Sequence, residues 1–482
     1  MNNKFLKHFL VIGSGTFISM IIGFLTTPII TRIVNPREYG QFSIFTMYSN
    51  VALMVLCLGL DQALVRYFYE KETDAYRRGL LFKCMKYPLI GTGIATVVIL
   101  LLAVSGLFKF ELGFIALVLV CIYTFIQIVY RFSLLIVRLQ YKSKIYSFLG
   151  IVQKSVYVIL ALVLICTGIF SDTIALAIAT LLAALVCVII SIAVERRLWD
   201  PRKLNKNDCN ITQKELIKYA YPYIFSMGIA TLFQYIDKIS LNIYCSYEQV
   251  GIYSSTMTLV NVFAIIQTTF NTLWAPMAVE HYTKSQNDVT FYQKGNQIIT
   301  IIMFFAGFSL ILCKDIFAIL LGEKYREAAY ILPFLIFNPI MYTISETTVN
   351  GLVFMKKSNM QVVVSVGACI VNIVGNTLLV PKFGCQGAAI STGISYIVFF
   401  SLRTILSNKY FYVNFYLWKF YLITGLAVVY ALYNTFVKFN IGSIVGYCVC
   451  VLVLILLYID TVKLGVSYLK NLLIDIRNKE AS

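Results

Sequence analysis

Apolar stretches of about 20 residues, each long enough to cross a ~30 Å hydrocarbon core as a helix, follow one another from Phe9 almost to the end of the chain. About fourteen can be marked, over 9–31, 41–60, 86–107, 112–130, 146–170, 173–194, 219–243, 249–274, 296–313, 328–354, 360–380, 385–407, 416–436 and 441–462. The polar breaks are short except for one, ERRLWDPRKLNKNDCNITQKELIKY from Glu195 to Tyr219, after the sixth run. The pattern predicts an all-α integral membrane protein with two pseudo-symmetric six-helix bundles. Residues 1–194 are expected to form the first bundle, 195–218 a cytoplasmic linker, 219–407 the second bundle, and 408–482 two further helices with a cytoplasmic tail. The first run is too long for the apolar core of a signal peptide and lacks a small-residue cleavage site, so it is expected to stay as the first helix.

The two halves share a local pattern. NPREYGQFSIFTMYSN, from Asn35, is echoed by SYEQVGIYSSTMTLVN, from Ser246. Gly40, Phe42, Ser43 and Asn50 correspond to Gly251, Tyr253, Ser254 and Asn261 at a constant offset, and both copies fall between the first two runs of their half. A glycine permits a tight turn, so Gly40 and Gly251 read as structural corners, with Asn50 and Asn261 about three turns further along. Duplicated bundles are an architecture of transporters, which handle substrate at the repeat interface.

Composition agrees with a membrane solvent: 59% of the 482 residues are hydrophobic and 13% charged. The net charge of +18 invites a nucleic-acid reading until it is divided by loop. With the N-terminus inside, about three quarters of the Lys and Arg fall in cytoplasmic loops, which is the ordinary positive-inside bias. Orientation accounts for the charge, and both termini are expected in the cytoplasm. The twelve cysteines are scattered, mostly in apolar runs, and read as small hydrophobes. His8 and His281 lack ligand spacing, and no HExxH, P-loop or nucleophile elbow is present. No catalytic, metal or cofactor site is expected.

TTPIITRIVNPREYGQFS at the end of the first run, LIKYAYPYIFSMGIATLFQYIDKISLNIYCSYEQVGIYS after the linker, and LVPKFGCQGAAISTGISY between runs eleven and twelve together resemble the polysaccharide transporter branch of the multidrug/oligosaccharidyl-lipid/polysaccharide superfamily, and within it the Wzx-type flippases. The resemblance covers nearly the whole chain. It implies two bundles around a central cavity in the bacterial cytoplasmic membrane, with the last two helices, in 408–482, as an accessory pair, and a cargo of undecaprenyl-pyrophosphate-linked oligosaccharide, for O-antigen or capsule, moved to the outer leaflet by alternating access. Implied partners are that lipid-linked oligosaccharide, membrane lipids, a polysaccharide polymerase and a chain-length regulator, with a proton or sodium ion for coupling and no nucleic acid. An ion-coupled exporter of small cationic drugs is the alternative within the superfamily. A membrane glycan polymerase would need a large extramembrane loop with catalytic motifs, and the longest loop here is the basic linker.

A flippase must give the polar head of its cargo a hydrated route, and ionisable groups inside membrane helices point to one. Lys154, with Gln153 and Tyr157 beside it in the fifth run, reads either as a cavity cation or as a lysine snorkelling to the interface. In the seventh run Gln234, Lys238 and Asn242 share a helix face, with Asp237 adjacent; they line a route or pair locally. Asn338, Tyr342, Glu346 and Asn350 make a four-spaced stripe in the tenth run. Glu346 is the ion-coupling candidate, and it could equally pair with a cation such as Lys154 or be a buried neutral acid. Asn372 and Asn376 in the eleventh run are cavity candidates that helix-to-helix hydrogen bonding also explains. Arg32, Arg66 and Arg131 stand near run ends as interface anchors, Arg32 being also a cavity candidate.

Overall fold

The computed structural model describes residues 3–205, 208–286, 288–464 and 467, with the backbone alone for residues 3–16 and for Ser226, Ala264 and Ser358. The His8 side chain and the tail beyond Ser467 lie outside the described residues.

Helix follows helix, because a backbone in hydrocarbon must satisfy its own hydrogen bonds within each segment. The chain divides into two compact units, residues 1–242 with 246–254, and residues 243–245 with 255–482. Unit 1 contains α1 (Asn3–Ile33), α2 (Pro36–Cys57), α3 (Leu60–Tyr67), α4 (Asp74–Val104), α5 (Phe114–Leu139), α6 (Ser143–Thr167), α7 (Asp172–Val194), α8 (Arg196–Trp199) and nearly all of α9 (Gln213–Tyr244). The boundary runs through α10 (Tyr247–Val260). Unit 2 continues with α11 (Phe263–Lys284), α12 (Thr290–Leu312), α13 (Lys314–Leu321), α14 (Ala328–Leu335), α15 (Phe337–Thr348), α16 (Asn350–Phe354), α17 (Ser358–Asn408), α18 (Leu417–Phe436) and α19 (Ile441–Leu457).

The protein is an all-α, multi-pass membrane fold. Among the described residues eight helical spans are long and apolar enough to cross a bilayer, or nine if α10 and α11, bent by 45° at their break, count as one. Two of the runs marked in the sequence merge in α17, whose kink lies at Gly384 (φ 56°, ψ −133°), a left-handed conformation open to glycine. The run at 328–354 is divided into α14, α15 and α16. That stretch is the heart of unit 2: most of the Ala328–Thr348 span is buried, whereas α4 and α6 bury few of the residues in their apolar stretches.

Helices also outrun their apolar stretches. α4 begins at Asp74, where Thr73 Oγ1 accepts from the Tyr76 N–H (3.4 Å), well before its apolar run near residue 86. The polar first turns hold the linker. Arg78 donates to the carbonyls of Arg197 (3.0 and 2.9 Å) and Lys203 (2.8 Å), and Lys83 to those of Cys209 (2.6 Å) and Ile211 (2.9 Å). In unit 2, fully buried Lys314 donates to the Asn434 and Val437 carbonyls (2.5 and 2.9 Å). A cation at the C-terminal end of α18 complements the helix dipole there and ties α18 to α13.

Candidate substrate cavity

In unit 1 the end of α2 is turned by two left-handed residues, Leu58 (φ 54°) and Gly59 (φ 67°), so that α3 carries Asp61 and Gln62 inward. α5 supplies Tyr123, Gln127, Tyr130, Arg131, Leu134 and Arg138, which recur at three and four residues and therefore share one face. Asn50 of α2 and Tyr146 and Gln153 of α6 complete a cavity of about 420 Å³, within the range of small-molecule sites.

Its walls carry amides, phenols and two guanidinium groups, with Leu53, Leu134 and Leu135 between them. Asp61, 1% exposed, takes Arg131 Nε (2.8 Å) and Nη2 and Gln62 Nε2 (2.9 Å), all on Oδ2, while its buried Oδ1 has no partner among the described residues. Tyr130 donates to Gln153 Oε1 (2.8 Å), and Gln127 Nε2 lies 3.4 Å from Asn50 Oδ1. The Arg138 side chain has no ion-pair partner among the described residues. A single acid faces two arginines, so the cavity has a net positive wall. Such a surface suits a hydroxyl-rich or anionic group and disfavours a cation.

The other sequence candidates fall into four places. Lys154 is exposed on the α1 flank of α6, close to Gly23, and does not line the cavity. Tyr157 stacks on Phe42 of α2 at 6.4 Å. Arg32 is exposed in the last turn of α1. On α9, buried Asp237 accepts from the Tyr253 hydroxyl (2.6 Å), Lys238 stands over the Tyr235 ring at 5.8 Å, and Gln234 is exposed. Asn261 is exposed at the α10–α11 break.

Glu346 on α15 pairs with Arg403 of α17 (2.8 Å), which also donates to Ser345 Oγ (2.7 Å) and lies over the rings of Tyr342 and Phe399. Arg403 is 6% exposed. Half-buried Asn338 precedes this stripe on α15. Asn372 and Asn376, both buried, bond to each other and to Ser391 (Asn376 Nδ2 to Oγ 3.2 Å; Ser391 Oγ to Asn372 O 2.9 Å), bracing the two arms of α17 across Gly384.

Residues 5–281 match the family model described as polysaccharide biosynthesis protein. The chain belongs to that family. Within the wider comparison it is 22% identical to the capsular polysaccharide biosynthesis protein CapF of Staphylococcus aureus over 415 residues, 84% of this chain and 98% of the relative. The lipid II flippase MurJ, in an inward closed conformation, superposes with a TM-score of 0.69 over 95% of this chain and 99% of its own, at 15% identity. An inward-facing multidrug resistance MATE family transporter of the MOP superfamily gives 0.56 over 81% and 94%, at 16% identity. The chain thus shares the fold of these flippase and MATE structures.

Asp61, Arg138 and Arg403 were not singled out by sequence. Asp61 and Arg403 stand at the polar edges of apolar runs, where charge is assigned to loops. The available signal was the LGLDQ turn, with its glycine before an acid.

Proposed function

We propose that the protein moves undecaprenyl-pyrophosphate-linked oligosaccharide, a unit of capsule, O-antigen or similar surface polysaccharide, from the inner to the outer leaflet of the bacterial cytoplasmic membrane. The observation that carries this is the polar cavity of unit 1, with Arg131 and Arg138 against the single acid Asp61. A drug cation would meet the wrong charge there, whereas sugar hydroxyls and oxyanions find donors. Family membership and the relative named for capsular polysaccharide biosynthesis point the same way.

In this reading fourteen crossings form the two six-helix halves 1–194 and 219–407, joined by the linker 195–218. Residues 408–482 add the accessory pair and tail, and both termini face the cytoplasm. The polyprenyl chain stays in lipid while the head passes through the protein, and Lys154 on the α1 flank of α6 meets the pyrophosphate. A polymerase and a chain-length regulator act on the delivered unit. Glu346 is the coupling carboxylate; a proton or sodium ion must displace Arg403 to reach it.

The test is the sidedness of undecaprenyl-linked oligosaccharide in cells depleted of the protein, read by mass spectrometry with a membrane-impermeant glycan probe. Accumulation on the cytoplasmic leaflet with loss of surface polysaccharide is expected. Normal outward display would overturn the reading. Lys154→Ala is expected to slow export with rescue by arginine, and normal export would remove the role of Lys154. Unchanged ion dependence in Glu346→Gln would remove the coupling role.

A further inference from the structure

The repeated corners meet. A Cβ on Gly40 would overlap the carbonyl oxygen of Tyr247 and stand 2.9 Å from the Gly251 nitrogen; a Cβ on Gly251 would overlap the carbonyl oxygen of Pro36 and stand 3.0 Å from the Gly40 nitrogen. Pro36 and Tyr247 correspond in the repeat as the two glycines do. The first turns of α2 and α10 therefore cross backbone to backbone around a local twofold, each glycine receiving the other copy's carbonyl. The obstacles are main-chain atoms, which no rotamer change can move. Beside the crossing, the Glu111 carboxylate accepts from Tyr48 of α2 (2.8 Å) and from Asn242 near the end of α9 (3.2 and 3.0 Å). One turn inward, Ser43 and Ser254 are buried.

We propose that this crossing is a releasable clasp that seals the outward end of the route, and that Glu111 latches it. The inference rests on the transport reading above, which requires the outward end to open once per cycle. One feature suits a contact that parts and re-forms. The bonds to Glu111 are made by an exposed carboxylate, whose partners water can replace. The unit boundary after Ser254 also runs through α10, just beyond the crossing.

The experiment measures labelling of Ser43→Cys by a membrane-impermeant maleimide applied from outside to intact cells, over the background without that cysteine. Gly251→Ala, which cannot fit the closed crossing, is expected to raise the labelling rate about tenfold by depopulating the closed state. Glu111→Gln, which adds no bulk, is expected to raise it about threefold. Gly93→Ala, where a Cβ meets nothing within 4 Å, should leave it unchanged. If Gly251→Ala does not accumulate, Glu111→Gln decides. No rise in either accumulating variant overturns the clasp. Raised labelling with normal cargo sidedness after depletion would keep the clasp and overturn the transport reading; lost cargo export with unchanged labelling would do the reverse.

Discussion

Unit 1 and unit 2 each bury a carboxylate against an arginine, and they do so to different ends. In unit 2 Glu346 and Arg403 are sealed, with side chains 18% and 7% exposed. Around them Asn296 bonds Thr347 (2.8 Å) and Thr348 bonds Thr404 (2.8 Å). The cluster is closed on itself. In unit 1 Asp61 is as deeply buried, but the Arg131 side chain is 36% exposed and opens onto a space with a second arginine and four amides. Burial of charge alone therefore does not mark a binding site. Open volume beside uncompensated donors does.

Breaking the sealed pair should have the largest effect. Arg403→Met leaves Glu346 charged and unpaired, and is expected to destabilise the protein by about 3–5 kcal/mol in denaturant unfolding in detergent; adding Glu346→Gln should restore most of the loss. No recovery in the double variant would mean that Arg403 acts through its rings and Ser345 instead. Asp61→Asn weakens charge-assisted bonds to a half-exposed arginine, so about 2 kcal/mol is expected by the same measurement, together with slower export. Tyr130→Phe removes one neutral bond to Gln153 and should cost about 1 kcal/mol. Arg138→Gln sharpens the contrast: stability within about 0.5 kcal/mol of the parent, with export of the oligosaccharide clearly reduced.

Much of the fold was legible because apolarity reports which helical segments lie in hydrocarbon. The paired corners at Gly40 and Gly251 were also visible, although that they touch was not, since a repeat fixes equivalence and not proximity. Gln153, a cavity candidate by sequence, lines the cavity, and so does Asn50, which the repeat marked only as part of a structural corner. Lys154, the stronger candidate by charge, lies one residue from the lining because successive residues on a helix diverge by about 100°. Arg403 and Lys314 stand at or just beyond the ends of apolar runs, where charge usually meets water, yet both are buried, since helix ends packed on neighbours can hold a cation against carbonyls or a carboxylate as readily as water does. The four-spaced Asn372 and Asn376 look like lining and serve as internal bracing. Periodicity identifies the face and leaves open what covers it.

The measurement that bears most directly on the account fills the cavity. Cells depleted of the protein are resupplied with Gln127→Trp, which places an indole in the space between Asn50 and Tyr130, and the leaflet holding the lipid-linked oligosaccharide is determined with the impermeant probe. The account predicts a normally accumulating protein and oligosaccharide retained on the cytoplasmic leaflet. Normal display on the outer leaflet would contradict it.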